Sequence, residues 1–207
     1  MTGIPALTPP PALADGRRLL LASTSAFRRE LLARLQLPFQ VVAPQIDETP
    51  WQGEPPTDLV ARLAESKAGS VAVREPKTLV IGSDQVAVLD AEIVGKPGNH
   101  ERAVAQLVRA SGRTVDFYTG LCLFDSDSGR RQVEVVSFKV VFRPLTPALI
   151  ERYLRREQPY QCAGSFKSEG LGVVLFERLE GEDPSSLIGL PLIRLVRMLE
   201  AEGVQVV

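Results

Sequence analysis

Histidine occurs once, at His100, and cysteine twice, at Cys122 and Cys162, in a chain of 207 residues. That inventory excludes a disulfide framework and a Cys/His zinc site, and it leaves any metal to hard oxygen ligands. An excess of one charge sign is also missing, since 24 Lys and Arg stand against 25 Asp and Glu. With no global basic field, neither nucleic acid nor an anionic membrane is an expected partner, and anion binding must be local. No apolar run approaches the roughly 20 residues needed to span a bilayer. The opening "MTGIPALTPPPALADGRR" is Pro-rich where a signal peptide needs an unbroken apolar core. The expectation is a cytoplasmic protein with a disordered tail over residues 1–16 and one domain over residues 17–207. Neither G-x-x-x-x-G-K-[ST] nor G-x-G-x-x-G occurs, so P-loop and Rossmann fingerprints are excluded.

What is present is an alternation. Apolar stretches at residues 19–22, 39–42 and 79–82 read as short buried strands separated by segments of helical period, which predicts an α/β layered fold. "RTVDFYTGLCLF" and "RQVEVVSFKVVF", joined by "DSDSGR", predict an antiparallel hairpin. The joint superficially resembles a calcium loop, but its acids stop at Asp127 and no glutamate stands at the offset of the bidentate ligand, so a solvated turn is expected. "TPALIERYLRRE" predicts a helix from Thr146, and "PSSLIGLPLIRLVRMLEAEG" predicts one from near Pro184.

Several cations sit where the pattern calls for apolar residues. After "LLLAS", the residues Phe27, Leu31, Leu32 and Leu35 form one helix face; Arg28 falls within that face and Arg29 outside it. Positive charge in a first turn opposes the helix dipole by about 0.3–1 kcal/mol unless an anion sits there. Two readings stay open. Glu30 or a distant carboxylate pairs with the arginines, or the Ser23, Thr24 or Ser25 hydroxyls, helix amides and arginine forks bind phosphate. Lys67 likewise projects into a face made by Leu59, Val60, Leu63, Ala64 and Val71, where it either snorkels outward or shares an anionic target.

Acids and further lysines complete the set. "TLVIGSDQVAVLD" predicts a strand ending at Gly82 that delivers Ser83, Asp84 and Gln85 to a ligand crevice. "QIDET" supplies Asp47 and Glu48, acids of the kind Mg²⁺ takes, and "GKP" holds Lys96 extended, in a site or in a surface turn. "AGSFKSEG", if extended, sends Ser165, Lys167 and Glu169 to one side; a surface loop is the alternative. A crevice with several cations, at least two acids and no soft ligands suits polyphosphate hydrolysis with Mg²⁺ or Mn²⁺.

"LASTSAFRRELL", "APQIDE", "RLAESKA", "IGSDQV", "GKP", "FYTG", "AGSFKSEG" and "GLPL" resemble, in order, the motifs of the Maf nucleotide pyrophosphatases over about residues 19–192. The resemblance implies an α/β fold related to inosine triphosphate pyrophosphatases, with an elongated mixed sheet flanked by helices and a deep cleft. It also implies divalent-metal-dependent cleavage of a nucleoside triphosphate to a monophosphate and pyrophosphate, in a possible homodimer. Carried over, Asp84 is the acid taken as catalytic base, with Lys67 and Glu48 beside it and Glu48 and Asp84 on the metal. Ser23, Arg28, Arg29, Gln85, Lys96, Lys167 and Glu169 are then expected on the substrate. Phe27, Gln85 and Glu169 occupy the positions associated with substrate choice and resemble the branch acting on 7-methyl-GTP, for whose cationic base an aromatic face and a carboxylate are apt. Rivals are a dTTP- or UTP-preferring pyrophosphatase and a non-catalytic regulator of cell division. One departure is Ala26, where the family has a helix-starting proline.

Overall fold

Leu19, Leu20, Leu21 and Ala22 are all 0% exposed, and a strand covered on both faces belongs inside a layered α/β structure. In the computed structural model, which describes residues 12–207, this strand, β1 (Arg18–Ala22), leads through α1 (Ala26–Ala33) to β2 (Gln40–Val42). Next come α2 (Pro56–Ala72), β3 (Thr78–Leu89), β4 (Glu92–Val94) and α3 (His100–Ala110). The hairpin β5 (Thr114–Asp125) and β6 (Arg131–Phe142) precedes α4 (Pro147–Glu157), β7 (Phe176–Gly181) and α5 (Leu192–Ala201). One mixed sheet results, in the order β2-β1-β3-β5-β6-β7, with β4 added to β3. β1 runs parallel to β2 and β3, and the other pairings are antiparallel.

Local chemistry explains the element ends. Ser25, Asn99 and Thr146 cap α1, α3 and α4 by accepting from the amides of Arg28, Arg102 and Leu149. The hairpin joint is a turn in which Asp125 accepts from Asp127 N and Ser128 Oγ. Of the expected tail, residues 1–11 lie outside the described residues. Leu13, by contrast, is buried against the core of β1, α1 and α5, and a turn returns the chain from Leu13 to Arg17.

Two expected elements are corrected. The helix expected from near Pro184 is split into a 3₁₀ turn, Pro184–Ile188, and α5. Gly189, at φ 120°, leaves helical space, and Pro191 has no amide to continue the ladder. The strand expected to end at Gly82 runs on to Leu89, because its antiparallel partner β5 stays in register through Asp116.

Two other glycines set how closely α2 lies on the sheet. A Cβ on Gly82 would meet the Ala64 carbonyl at 2.0 Å, and one on Gly120 would meet the Val60 carbonyl at 2.1 Å. Backbone therefore touches backbone where a side chain would normally hold the layers apart. We expect Gly82→Ala to cost at least the roughly 1–3 kcal/mol of an overpacked core. Gly69→Ala, in open space on the same helix, should stabilise by about 0.5–1 kcal/mol. Thermal unfolding of the two variants should give midpoint shifts of opposite sign.

Candidate active site

β1 pairs with β3 up to Gly82, and β4 takes up the same edge only from Ala87. Residues 83–86 therefore have a strand neighbour on one side alone, β5. The break opens a cleft of about 570 Å³. Alternation along β3 sends Gly82 and Asp84 toward α2, and Ser83 and Gln85 to the opposite face.

On the α2 face Lys67, 5% exposed, reaches back over the glycine contact and donates from Nζ to Asp84 Oδ1 at 2.7 Å. The same nitrogen lies 3.0 Å from Glu48 Oε1, on the segment between β2 and α2. The lysine neither snorkels nor stands alone: it joins two acids inside the cleft. Among the described residues no hydrogen bond inside the protein engages Asp84 Oδ2, and none of their buried side-chain polar atoms lacks a partner. That oxygen is thus open to the cleft.

On the other face the backbone that breaks the expected helix does the positioning. The Gly189 carbonyl accepts from Ser83 Oγ at 2.9 Å and from Arg28 Nε at 2.8 Å. Gln85 donates through Nε2 to Thr119 Oγ1 at 3.0 Å and to the Ser186 carbonyl at 2.6 Å. With both amide protons so engaged, Gln85 presents only its Oε1 acceptor to the cleft, not the donor and acceptor its side chain could offer. Asp183 fixes the whole turn by accepting from Ser185 N at 3.1 Å and Ile193 N at 2.8 Å.

Ser23, Phe27 and Arg28 line the cleft from the start of α1, and Lys96, Cys162 and Glu169 line it from other segments. Phe27 is half-buried and, unlike Leu31 and Leu32, belongs to none of the apolar core clusters. Burial pushes the Arg28 guanidinium below its ordinary value, while Asp84 and Glu48 pull it back, and it stays charged. The helix start therefore carries a cation held by a carbonyl on one side, and among the described residues its remaining N–H groups make no hydrogen bond.

Other expected residues are not brought in. Arg29 is exposed and does not line the cleft, because it lies outside the helix face that carries Arg28. Lys167 pairs with Glu157 at 3.2 Å instead of facing the cleft. "AGSFKSEG" is not extended: Gly164 and Ser165 adopt positive φ, Ser165 Oγ turns to Gln106, and only Glu169 of the expected trio reaches the cleft. Asp47 caps Thr49 N at 2.9 Å. Residue chemistry alone missed Thr119, Ser186 and Gly189, although "FYTG" and "GLPL" flagged two of their segments.

Among the described residues no three His, Cys, Asp or Glu side chains converge as a metal cage. Glu48 and Asp84 nevertheless bring two hard carboxylates within 3.0 Å of one ammonium nitrogen. Two such carboxylates are a donor set that fits a hard divalent ion whose other ligands are water or further oxygen donors.

A family model described as Maf-like protein matches residues 18–202. The chain is 60% identical over 185 residues to the 7-methyl-GTP pyrophosphatase of Nitrosococcus oceani, covering 89% of this chain and 93% of the relative. It is 55% identical over 192 residues to the protein of that name from Vibrio vulnificus, covering 93% and 98%. With the Vibrio cholerae protein of the same name, identity is 56% over 190 residues, covering 92% and 98%. The solved structure of the Staphylococcus aureus Ham1 protein aligns with a TM-score of 0.49 at 12% identity, over 90% of this chain and 100% of that one. Among the described residues no helix is long and apolar enough to cross a membrane.

Two measurements follow from the cleft. Lys67→Met strands the Asp84 carboxylate, so it should lower stability by as much as the roughly 3–5 kcal/mol seen when one member of a buried pair is lost. Adding Asp84→Asn should recover most of that loss in denaturant unfolding, whereas a Lys67→Met protein as stable as the parent would show the pair is dispensable. For the thiols, burial raises Cys162 above its ordinary 9.0 and pushes Cys122 up to about 12. Since only the thiolate alkylates, a raised value means little reaction at pH 7. Iodoacetamide labelling of Cys162 should still be climbing at a pH where an ordinary thiol has levelled off, with Cys122 unlabelled in the folded protein by mass spectrometry.

Proposed function

The chain belongs to the Maf family, and from that premise we propose that it hydrolyses 7-methyl-GTP to 7-methyl-GMP and pyrophosphate. The observation that carries this reading is the buried Lys67 ammonium joining Asp84 and Glu48, at 2.7 and 3.0 Å, in the cleft that Ser23 and Arg28 also line. Relatives 55–60% identical bear the name 7-methyl-GTP pyrophosphatase.

A triphosphate entering this cleft meets the first amides of α1, the Ser23 hydroxyl, the outer N–H groups of Arg28, and Lys96. Asp84 Oδ2 accepts a hydrogen bond from water and aims it at the α-phosphorus, while Lys67 on Oδ1 keeps the carboxylate from rotating. As the water oxygen bonds to phosphorus, its proton passes to Asp84 Oδ2, the bond to the bridging oxygen breaks and pyrophosphate leaves, its charge offset by Arg28 and Lys96. A Mg²⁺ or Mn²⁺ ion bound by Glu48 and Asp84 would supply Lewis-acid withdrawal of charge from the phosphoryl oxygens.

The base reading rests on complementarity. Methylation at N7 gives guanine a delocalised positive charge, which the ring of Phe27 can face and Glu169 can offset. Gln85, reduced to an acceptor by Thr119 and Ser186, suits a donor on the base edge. The test is pyrophosphate release from 7-methyl-GTP, GTP, dTTP and UTP with Mg²⁺ or Mn²⁺. We expect 7-methyl-GTP to turn over fastest, and Asp84→Asn to lose at least the roughly 10²-fold due to a general base while staying folded. Glu169→Gln should lose more kcat/KM on 7-methyl-GTP than on GTP. A preference for dTTP or UTP would overturn the substrate, and undiminished hydrolysis by Asp84→Asn would overturn the mechanism.

A further inference from the structure

Glu48 differs from Asp84 in what holds it. It lies on the segment between β2 and α2, which has neither helix nor strand, and its carboxylate is 58% exposed with Lys67 as its ion pair. A side chain so exposed keeps one position only if the peptide beneath it is fixed, since an unfixed loop spends its conformational freedom elsewhere.

One guanidinium does the fixing. Arg62 stands five residues before Lys67 on α2 and is bidentate to Glu54, with Nε on Oε1 at 2.5 Å and a terminal nitrogen on Oε2 at 2.7 Å. The same terminal nitrogen donates to the carbonyl of Thr49, the neighbour of Glu48, at 3.2 Å. Glu54, 5% exposed at its side chain, also accepts from Trp51 N at 3.0 Å. Gly53, at φ 74°, closes the intervening turn, so that Glu54 N donates to the Trp51 carbonyl at 3.1 Å. The guanidinium carbon lies 4.1 Å from the Trp51 ring centroid, and Asp47 ties down Thr49 N from the other side. Arg62 itself does not line the cleft.

We propose that Arg62 is the positioning residue for Glu48: its fork on Glu54 and the Thr49 carbonyl pins the loop so that the Glu48 carboxylate stays on Lys67. This rests on the role given to Glu48 in the proposed function. A lysine at position 62 would keep the charge but lose the planar two-point fork.

The experiment is a double-mutant cycle, with Arg62→Lys made in the parent and in Glu48→Gln. Partners behind a ligand typically cost about 10–100-fold in activity or metal affinity. Arg62→Lys should lower kcat/KM by about that range in the parent and by less than about 2-fold in Glu48→Gln. It should also raise the Mn²⁺ concentration giving half-maximal rate, and increase acrylamide quenching of Trp51, the only tryptophan in the chain. Equal losses in both backgrounds, or no loss in the parent, would overturn the proposal. If Arg62→Lys fails to fold, Glu54→Gln breaks the same fork from the other side and must show the same coupling. Failure of the underlying reading looks different: Glu48→Gln alone would be as active as the parent, which removes Glu48 from the chemistry and the positioning role with it.

Discussion

The carbonyls of Val60 and Ala64 rest directly on Gly120 and Gly82, and the candidate site depends on that contact. Any larger residue at either strand position would lift α2 away from β3 and β5. Lys67 would then have to span a longer gap, and its buried ammonium would lose the 2.7 Å contact to Asp84. A buried cation without a close partner is strongly destabilising, whereas a close pair with further hydrogen bonds can offset its desolvation. The same helix carries Arg62, so the height of α2 above the sheet also sets the loop that bears Glu48.

The cleft itself comes from strand lengths. β1 stops at Ala22, opposite Gly82, and β4 ends at Val94, opposite Ala87, so one long strand, β3, is paired at both ends and bare in the middle on one edge. That arrangement gives two chemistries from neighbouring residues. Asp84 faces α2 and its ammonium, while Ser83 and Gln85 face the turn before α5 and its carbonyls. Gly189 belongs to this second set, because its φ of 120° points one carbonyl at both Ser83 and Arg28. The cations at the start of α1 thus have different fates: Arg28 is drawn inward by that carbonyl, and Arg29 stays in solvent.

Much of this was legible in residue order, and the misreadings have identifiable causes. Helical period correctly turned Arg28 and Lys67 inward, because an amphipathic face buries whatever sits on it. The period of two misled at "AGSFKSEG", where positive φ at Gly164 and Ser165 breaks the alternation and turns Lys167 toward Glu157. Helical pattern misled across "GLPL", since an apolar repeat continues through a glycine and a proline that the backbone cannot follow as helix. The strand holding Asp84 was read too short because it is set by pairing with β5, a distant segment.

By itself the sequence determined the alternation of strands and helices, the hairpin with its turn and the family resemblance. These are local in origin: hydrophobic period, capping residues, turn glycines and ordered motifs are properties of short windows. Tertiary structure alone decided that Lys67 bridges Asp84 and Glu48, that Gln85 is left as an acceptor, and that Arg62 bonds Glu54 and the Thr49 carbonyl beside Glu48. Those facts depend on which strands pair, on how near α2 lies to them, and on where the Gly189 carbonyl points. Each joins segments far apart in the chain, and no short window of sequence encodes the distance between them.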